Sequence, residues 1–545
     1  MKPLARKELG LCLATSITFS YSGITLKKYL LKNPKTIFLF FLILFTSLLF
    51  RITNLSVIEF KGDEALTLFL TTRTLFGHPF PPIATISSVG ILNFPLLLYF
   101  VFPFSLISLN PIFISGGIAL LNSLANGFLF IFLKKYYGFT TAFIATILIA
   151  LSPWAILYSR KIWAQDFIFP IAIILLFSIH KLIIEKKKYY WVLYASSTLF
   201  LVQLHQPLFY FLTILSIFML FKAKIHIPSM LIGFILGIIP TIPYVFYEIG
   251  HGFPDYFAFL AYTKLSFPYS LLTFARPFQI LSQGDFHFII GDDMSLFAKM
   301  YPLSYWSRLF FYTEYLLLPF GLIIFWKTYP KLRFLTYSCI LLPIIYFFSR
   351  TPTFMHYFII LIPFLFIFLA TGITFLLNQK NIILKYMTYI ILCLLIISSI
   401  TYNTGFFYML NFKKSLKGDY GVSYAQMRLE KIQPLEKYKS SNGYQEMILV
   451  SYIGLDSLGG NQRISSVIYD YTETKNNLIA LERKLNKTPE DPRIKQELIA
   501  YYLHKPLTKA TLSRVNEKVI INPIGYGAMY DLLEEKFREE NKKDH

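Results

Sequence analysis

Apolar residues run in long unbroken blocks along the first four hundred positions of this chain, and the charged residues gather in the gaps between them. A helix needs roughly 20 apolar residues to cross a hydrocarbon core about 30 Å thick. Blocks of about that size fall at 36–53, 112–133, 139–157, 167–183, 189–204, 207–221, 229–247, 306–326, 332–348, 357–377 and 382–402. They predict about eleven transmembrane α-helices. A twelfth block, 91–108, is broken by Pro95 and Pro103. From about Asn403 the pattern changes to polar and charged, with a strand-like stretch at 446–450 and helix-like stretches at 476–485 and 531–540.

The gaps carry the topology. Lys27/Lys28/Lys32/Lys35, Lys134/Lys135, Lys186/Lys187/Lys188, Lys222/Lys224, Lys327/Lys331/Arg333 and Lys380/Lys385 should all face the cytoplasm under the positive-inside rule. Between Lys35 and Lys134 the chain must therefore cross an even number of times, so only two of the three blocks there can be spans. The proline-broken 91–108 is the one to demote, to an interfacial or re-entrant juxtamembrane segment. The basic stretch 1–35 lacks a small-residue cleavage site and is expected to stay cytoplasmic, ahead of an uncleaved first anchor. Eleven crossings put 403–545 outside. The expected organisation is a basic N-terminus (1–35), a transmembrane domain (36–402) and an extracytoplasmic C-terminal domain (403–545) of α/β or α+β class. The setting is a plasma or inner membrane.

Composition narrows the function. A chain that is 55% hydrophobic and 15% charged is unlike a soluble domain. Its net charge of +22 comes from the inter-helix clusters rather than one basic face, which speaks against nucleic acid. Three cysteines, Cys12, Cys339 and Cys393, support neither a disulfide framework nor a thiolate metal site. Zinc spacing, a Walker loop, a dinucleotide fingerprint and internal repeats are all absent from the sequence. The first 402 residues hold twelve carboxylates, and on this topology nearly all but Glu8 and Glu185 fall on or near the outer face. Acids contribute little to orientation, so their gathering points to a functional outer face.

Two motifs there carry chemistry. Past the first helix comes Glu59-Phe60-Lys61-Gly62-Asp63-Glu64-Ala65, two adjacent carboxylates at the membrane surface. Partial desolvation and like charge would raise the pKa of Asp63 and suit it to general-base work, while Lys61 opposes that. The structural alternative is a solvated Asp63 capping a helix from 64 to 76. The second motif runs from Ser152-Pro153-Trp154 through Tyr158-Ser159-Arg160-Lys161-Ile162-Trp163 to Asp166. Arg160 and Lys161 could hold a lipid phosphate. Otherwise they snorkel at a helix end, although the topology rule disfavours cations on that side.

Together with the Ser-Ser-Val-Gly-Ile-Leu-Asn stretch from Ser87 to Asn93, these motifs resemble the GT-C superfamily of integral membrane glycosyltransferases. The likeness is to bacterial relatives of the protein O-mannosyltransferases and of the aminoarabinose and galacturonic-acid lipid A transferases. It covers roughly residues 36 to 400 and is most specific at 60 to 166. It implies a GT-C-like fold with juxtamembrane helices in the first outer loop, Asp63 as base, Glu64 as its helper, and Asp166 as the acid that orients acceptor or donor. His205, and Arg350 with His356 and Tyr357, resemble family positions around the lipid phosphate, and a structural role is the alternative for each.

The sequence reading is therefore an inverting transfer of a monosaccharide from a polyprenyl-phosphate donor to a hydroxyl of a protein, lipid or polysaccharide acceptor on the outer side. No soluble cofactor is implied. The loop 248–305 carries Asp255, Asp285, His287, Asp292 and Asp293, of which the last four could coordinate a divalent cation, with solvated loop acids as the alternative. The rival classes are a transporter or flippase for a lipid-linked glycan and an envelope polysaccharide polymerase or ligase.

Overall fold

The computed structural model describes residues 34–76, 80–85, 87, 91–250, 252–263, 267–282 and 286–429. The expected strand at 446–450, the helices at 476–485 and 531–540, and most of the basic N-terminus lie outside these residues. What is described is helical, with two isolated β-bridges, Glu59 to Ser423 and Ser415 to Val422, besides.

Each of the eleven apolar blocks is helical: α1 (Pro34–Ile52), then, after α2 (Gly62–Thr72) and α3 (Leu96–Ser105), α4 (Pro111–Tyr137), α5 (Phe139–Leu151), α6 (Ile168–Ile183), α7 (Trp191–Leu204), α8 (Phe209–Lys222), α9 (Ile227–Ile238), α10 (Tyr312–Thr328), α11 (Arg333–Phe348), α12 (Ile362–Leu377) and α13 (Ile382–Lys413). Eight helical segments among the described residues are long and apolar enough to cross a membrane. Those built on α5 and α8 are apolar but shorter, and α3 in the demoted block 91–108 is shorter still. Phe38, Phe45, Phe221 and Leu316 are among many large apolar side chains left exposed on the bundle's outside. That is the surface a lipid-embedded protein presents, since lipid removes the penalty for it.

The bundle is centred on α12 and α6, whose spans are 83% buried, while the spans through α1 and α9 lie at the rim with 22% and 17%. Close helix approach uses small residues, as membrane packing favours. A Cβ at Gly321 of α10 would sit 2.3 Å from the Phe368 carbonyl oxygen of α12, and one at Gly233 of α9 would sit 2.3 Å from that of Val192 in α7.

Two boundaries differ from the sequence pattern. The block 139–157 is not one helix: α5 stops at Leu151, and Ser152 caps a separate turn Pro153–Leu157, its hydroxyl accepting from the Ala155 amide at 3.4 Å. Pro153 disfavours a helical Ser152, so the chain bends there and opens the second motif. At the other end α13 runs through position 403 to Lys413 and stops with Lys414 in the left-handed region (φ 60°). Residues 414–427 then fold back onto the loop after α1.

Candidate active site

The first-loop acids and the second motif are brought together at the C-terminal end of α1. That end leaves carbonyls without intrahelical partners, and Arg160 takes them: Nη1 donates to Phe50 O at 3.3 Å, and Nη2 to Thr53 O at 2.8 Å and Asn54 O at 2.9 Å. Its guanidinium also lies 4.5 Å from the Phe407 ring centroid of α13. Burial pulls Arg160 down to about 10, which leaves it charged at neutral pH. Arg51 makes a second tie, from Nη2 to Ala155 O at 3.3 Å. The second motif is thereby fixed against the first loop.

α2 begins two residues earlier than a cap at Asp63 would require. Glu64 reaches back to accept the Lys61 amide at 3.1 Å, three residues away, the carboxylate half of a capping box. Asp63 sits inside the first turn and is exposed. The capping alternative for Asp63 is thus answered by its neighbour.

Glu64 belongs to a buried ionic cluster. Lys161 Nζ donates to Glu59 Oε2 at 2.7 Å and lies 3.9 Å from Glu64 Oε1, while Lys61 Nζ is 2.8 Å from Glu59 Oε1. Glu59, Glu64 and Lys161 are each at most 5% exposed. Burial works to raise Glu59, but the charges of Lys161 and Lys61 outweigh it and hold Glu59 below the ordinary carboxylate range. Glu64 has the weaker cationic partner; burial first and the Glu59 charge second push it up to about 8. Burial works against the Lys161 ammonium, yet Glu59 and Glu64 raise it above its ordinary value. Near neutral pH the cluster thus holds Glu59 ionised, Lys161 charged and a proton on Glu64. Beside it, a small cavity with room for about one water lies between Glu59, Arg160 and Lys161 on one side and Asn403, Phe406 and Tyr420 on the other.

Asp166 supports the second motif from below. Its Oδ2 accepts the Lys161 amide at 2.8 Å, closing the 161–166 turn, and its carbonyl accepts from Asn122 Nδ2 of α4 at 2.9 Å. The Lys161 ammonium lies 4.1 Å from the Trp163 ring, which meets His356 edge to face at 5.2 Å. His356 in turn meets His205 at 5.1 Å, and Tyr357 meets His205 at 5.2 Å. His205 Nδ1 lies 3.3 Å from Gln165 Nε2, while His205 Nε2 and Gln165 Oε1 are buried with no hydrogen-bond partner. Burial pushes His205 down to about 3, so its ring is neutral.

Arg350 stands apart from this chain of contacts. It is exposed, has a positive φ of 54°, and donates to Tyr269 Oη at 3.0 Å. Two acids of 248–305 are engaged by segments distant in sequence. Asp255 Oδ1 accepts the Leu92 amide at 2.8 Å, and Asp293 takes Lys413 Nζ at 2.7 Å and the Lys417 amide at 2.9 Å. Asp285 lies outside the described residues. Among the described residues no group of three or more His, Cys, Asp or Glu side chains could hold a metal ion.

Sequence reasoning gave no role to Glu59, Tyr420 or Asn122. Glu59 opens the quoted first motif, so its signal was present: a carboxylate two residues before a lysine at a helix exit. Tyr420 and Asn122 carried none, because their roles come from segments brought together only by the fold.

No family model and no curated protein matches the chain. Among solved structures it is similar to the apo crystal structure of ArnT from Cupriavidus metallidurans, at 11% sequence identity and a TM-score of 0.45, covering 68% of this chain and 75% of that one. A likeness of that degree carries no function from one chain to the other.

Proposed function

We propose that this protein is a membrane glycosyltransferase that moves a monosaccharide, with inversion, from a polyprenyl phosphate to an acceptor hydroxyl on the outer side of the membrane. The observation that carries the reading is the direct ionic contact between the first-loop acids and Lys161, 102 residues later in the chain. The two motifs whose pairing suggested this chemistry form one cluster.

Asp63 is the acid a substrate can reach, and it takes the acceptor's proton as the hydroxyl oxygen attacks the anomeric carbon. The carbon–oxygen bond to the phosphate breaks, and polyprenyl phosphate leaves with the electron pair. Lys161 meets the charge that develops there. The phosphate role falls to Lys161 rather than to its neighbour, because both terminal nitrogens of Arg160 are spent on α1 carbonyls. Glu64, protonated and adjacent, keeps negative charge from accumulating beside Asp63. Asp166 holds the turn that aims Lys161, and Gln165 and His205 offer unpartnered polar atoms to hydroxyl groups.

The test uses purified full-length protein in detergent with a polyprenyl-phosphate-linked sugar. Asp63→Asn should lower transfer by about 100 to 10,000-fold, the range for a lost general base, with donor binding nearly intact. Full activity in Asp63→Asn would remove the mechanism. Movement of the lipid across vesicles with no glycosidic bond formed would replace it with a flippase.

A further inference from the structure

The segment 414–427 is tied to the site at more points than a chain leaving a helix requires. Phe60 donates its amide to Val422 O at 3.1 Å, and Tyr424 donates to Ile58 O at 2.9 Å, around the bridge between Glu59 and Ser423. The Tyr420 hydroxyl donates to Val57 O, and Lys61 Nζ donates to Asp419 O while its charge lies 3.9 Å from Asp419 Oδ1. Its far side is anchored as well. Asp419 and Tyr420 donate their amides to Phe288 O at 2.9 Å and Ile289 O at 3.2 Å. Gly418 packs on Gly291 so closely that a Cβ there would lie 2.4 Å from the Gly291 nitrogen.

We propose that residues 414–427 are a working part of the site, a strap through which Lys61 and Tyr420 act as positioning residues for the Glu59–Lys161–Glu64 cluster. The proposal deepens the glycosyltransferase reading and rests on it for the reaction concerned. Its physical basis is that Lys61 serves two masters. The same ammonium pairs with Glu59 and is held by Asp419, so the strap's position sets how much of the Lys61 charge Glu59 receives. Tyr420 lines the one-water cavity beside Glu59 and so limits how much water reaches that carboxylate.

The test uses full-length protein and two readouts. Gly418→Val, remote from the cluster, should lift the strap through its clash with Gly291, and Tyr420→Phe should loosen it by one hydrogen bond while keeping the ring. In both, amide exchange at Phe60 and Tyr424 should speed up, about tenfold or more in Gly418→Val. The Glu64 carboxyl, followed by infrared difference against Glu64→Gln, should titrate closer to the ordinary carboxylate range as water enters. Turnover should fall about tenfold in Tyr420→Phe with KM little changed, the mark of misplacement rather than lost binding. Unchanged Glu64 titration beside accelerated exchange would overturn the proposal, and so would unaltered exchange in both variants. If the titration moves as expected but the wild type transfers no sugar, the glycosyltransferase reading fails and the strap's hold on the cluster stands.

Discussion

Two clusters of lysine and glutamate lie beyond the two ends of α6, separated by that helix's rise of roughly 24 Å, and they handle charge in opposite ways. At one end Glu59 and Glu64 share Lys161 and Lys61, all but Lys61 deeply buried. At the other, Glu185 alone collects three ammonium groups, Lys135 at 2.5 Å, Lys181 at 2.9 Å and Lys187 at 3.2 Å, and accepts from the Tyr136 hydroxyl at 2.5 Å. Burial works to raise Glu185, but these donors overcome it and hold it well below the ordinary range. The same two residue types thus give a knot whose acid is held ionised below the ordinary carboxylate range at one end and a proton-holding cluster at the other. What separates them is the ratio of carboxylates to cations and the access of water. An acid outnumbered by cations stays ionised; a buried set with as many acids as cations leaves the acid with the more distant cation, Glu64, holding a proton.

The largest test of the comparison is whether the two ends face different sides of the membrane. Eleven crossings would place Lys135 and Lys187 in the cytoplasm and Asp419 and residue 450 outside. Single cysteines at these positions, in a background without Cys12, Cys339 and Cys393, should label with an impermeant reagent in an all-or-none pattern. Labelling at 450 only after permeabilisation would break the eleven-span count.

Next in size is the consequence of burial. Lys161→Met leaves Glu59 without its closest cation in a dry site, and breaking a buried pair from one side costs about 3–5 kcal/mol. Thermal unfolding in detergent should show a large loss. The double variant Lys161→Met/Glu59→Gln should recover most of it, because no uncompensated charge remains. If the double variant is no better than the single, the cluster is not held by this pair.

How much of this was legible beforehand follows from the same physics. The helices were, because each span must satisfy its backbone within itself and therefore announces itself as an apolar block. The demotion of 91–108 followed from charge parity and two prolines, and α3 there is a short helix of ten residues. Asp63, Glu64 and Lys161 stood out because charges at an apolar boundary are rare. Arg160 shows the limit: its residue type suits phosphate, and only the fold reveals that α1's terminal carbonyls occupy it. The strap was illegible for a different reason. Its ties to the first loop run largely through backbone groups, which no side-chain pattern encodes.

The two ends should also answer pH with opposite signs. Glu64 is raised in the folded protein to about 8 from an ordinary value near 4.5, so the folded state holds a proton that the unfolded chain has released. Its contribution therefore erodes stability as pH rises from about 4.5 to 8, by at most about 1.4 kcal/mol per pH unit, and is flat above. Glu185 is lowered, so its contribution is present above the unfolded value and is lost as pH falls below it. Unfolding midpoints from pH 5 to 9 should decline less steeply in Glu64→Gln than in the wild type. Parallel curves would mean that Glu64 is ionised throughout.

The smallest expected effect sharpens the contrast from the other side. Lys135 carries a side chain 54% exposed, and Glu185 keeps Lys181 and Lys187 when it is gone. An exposed ion pair with surviving partners contributes between nothing and about 1 kcal/mol, less at high salt. Lys135→Met should therefore unfold within about 1 kcal/mol of the wild type and leave transfer untouched, against the large loss for Lys161→Met. A cost for Lys135→Met approaching that of Lys161→Met would show that count and burial do not distinguish the clusters. The Glu185 knot would then have to be counted as part of the fold's support rather than as a surface signal of orientation.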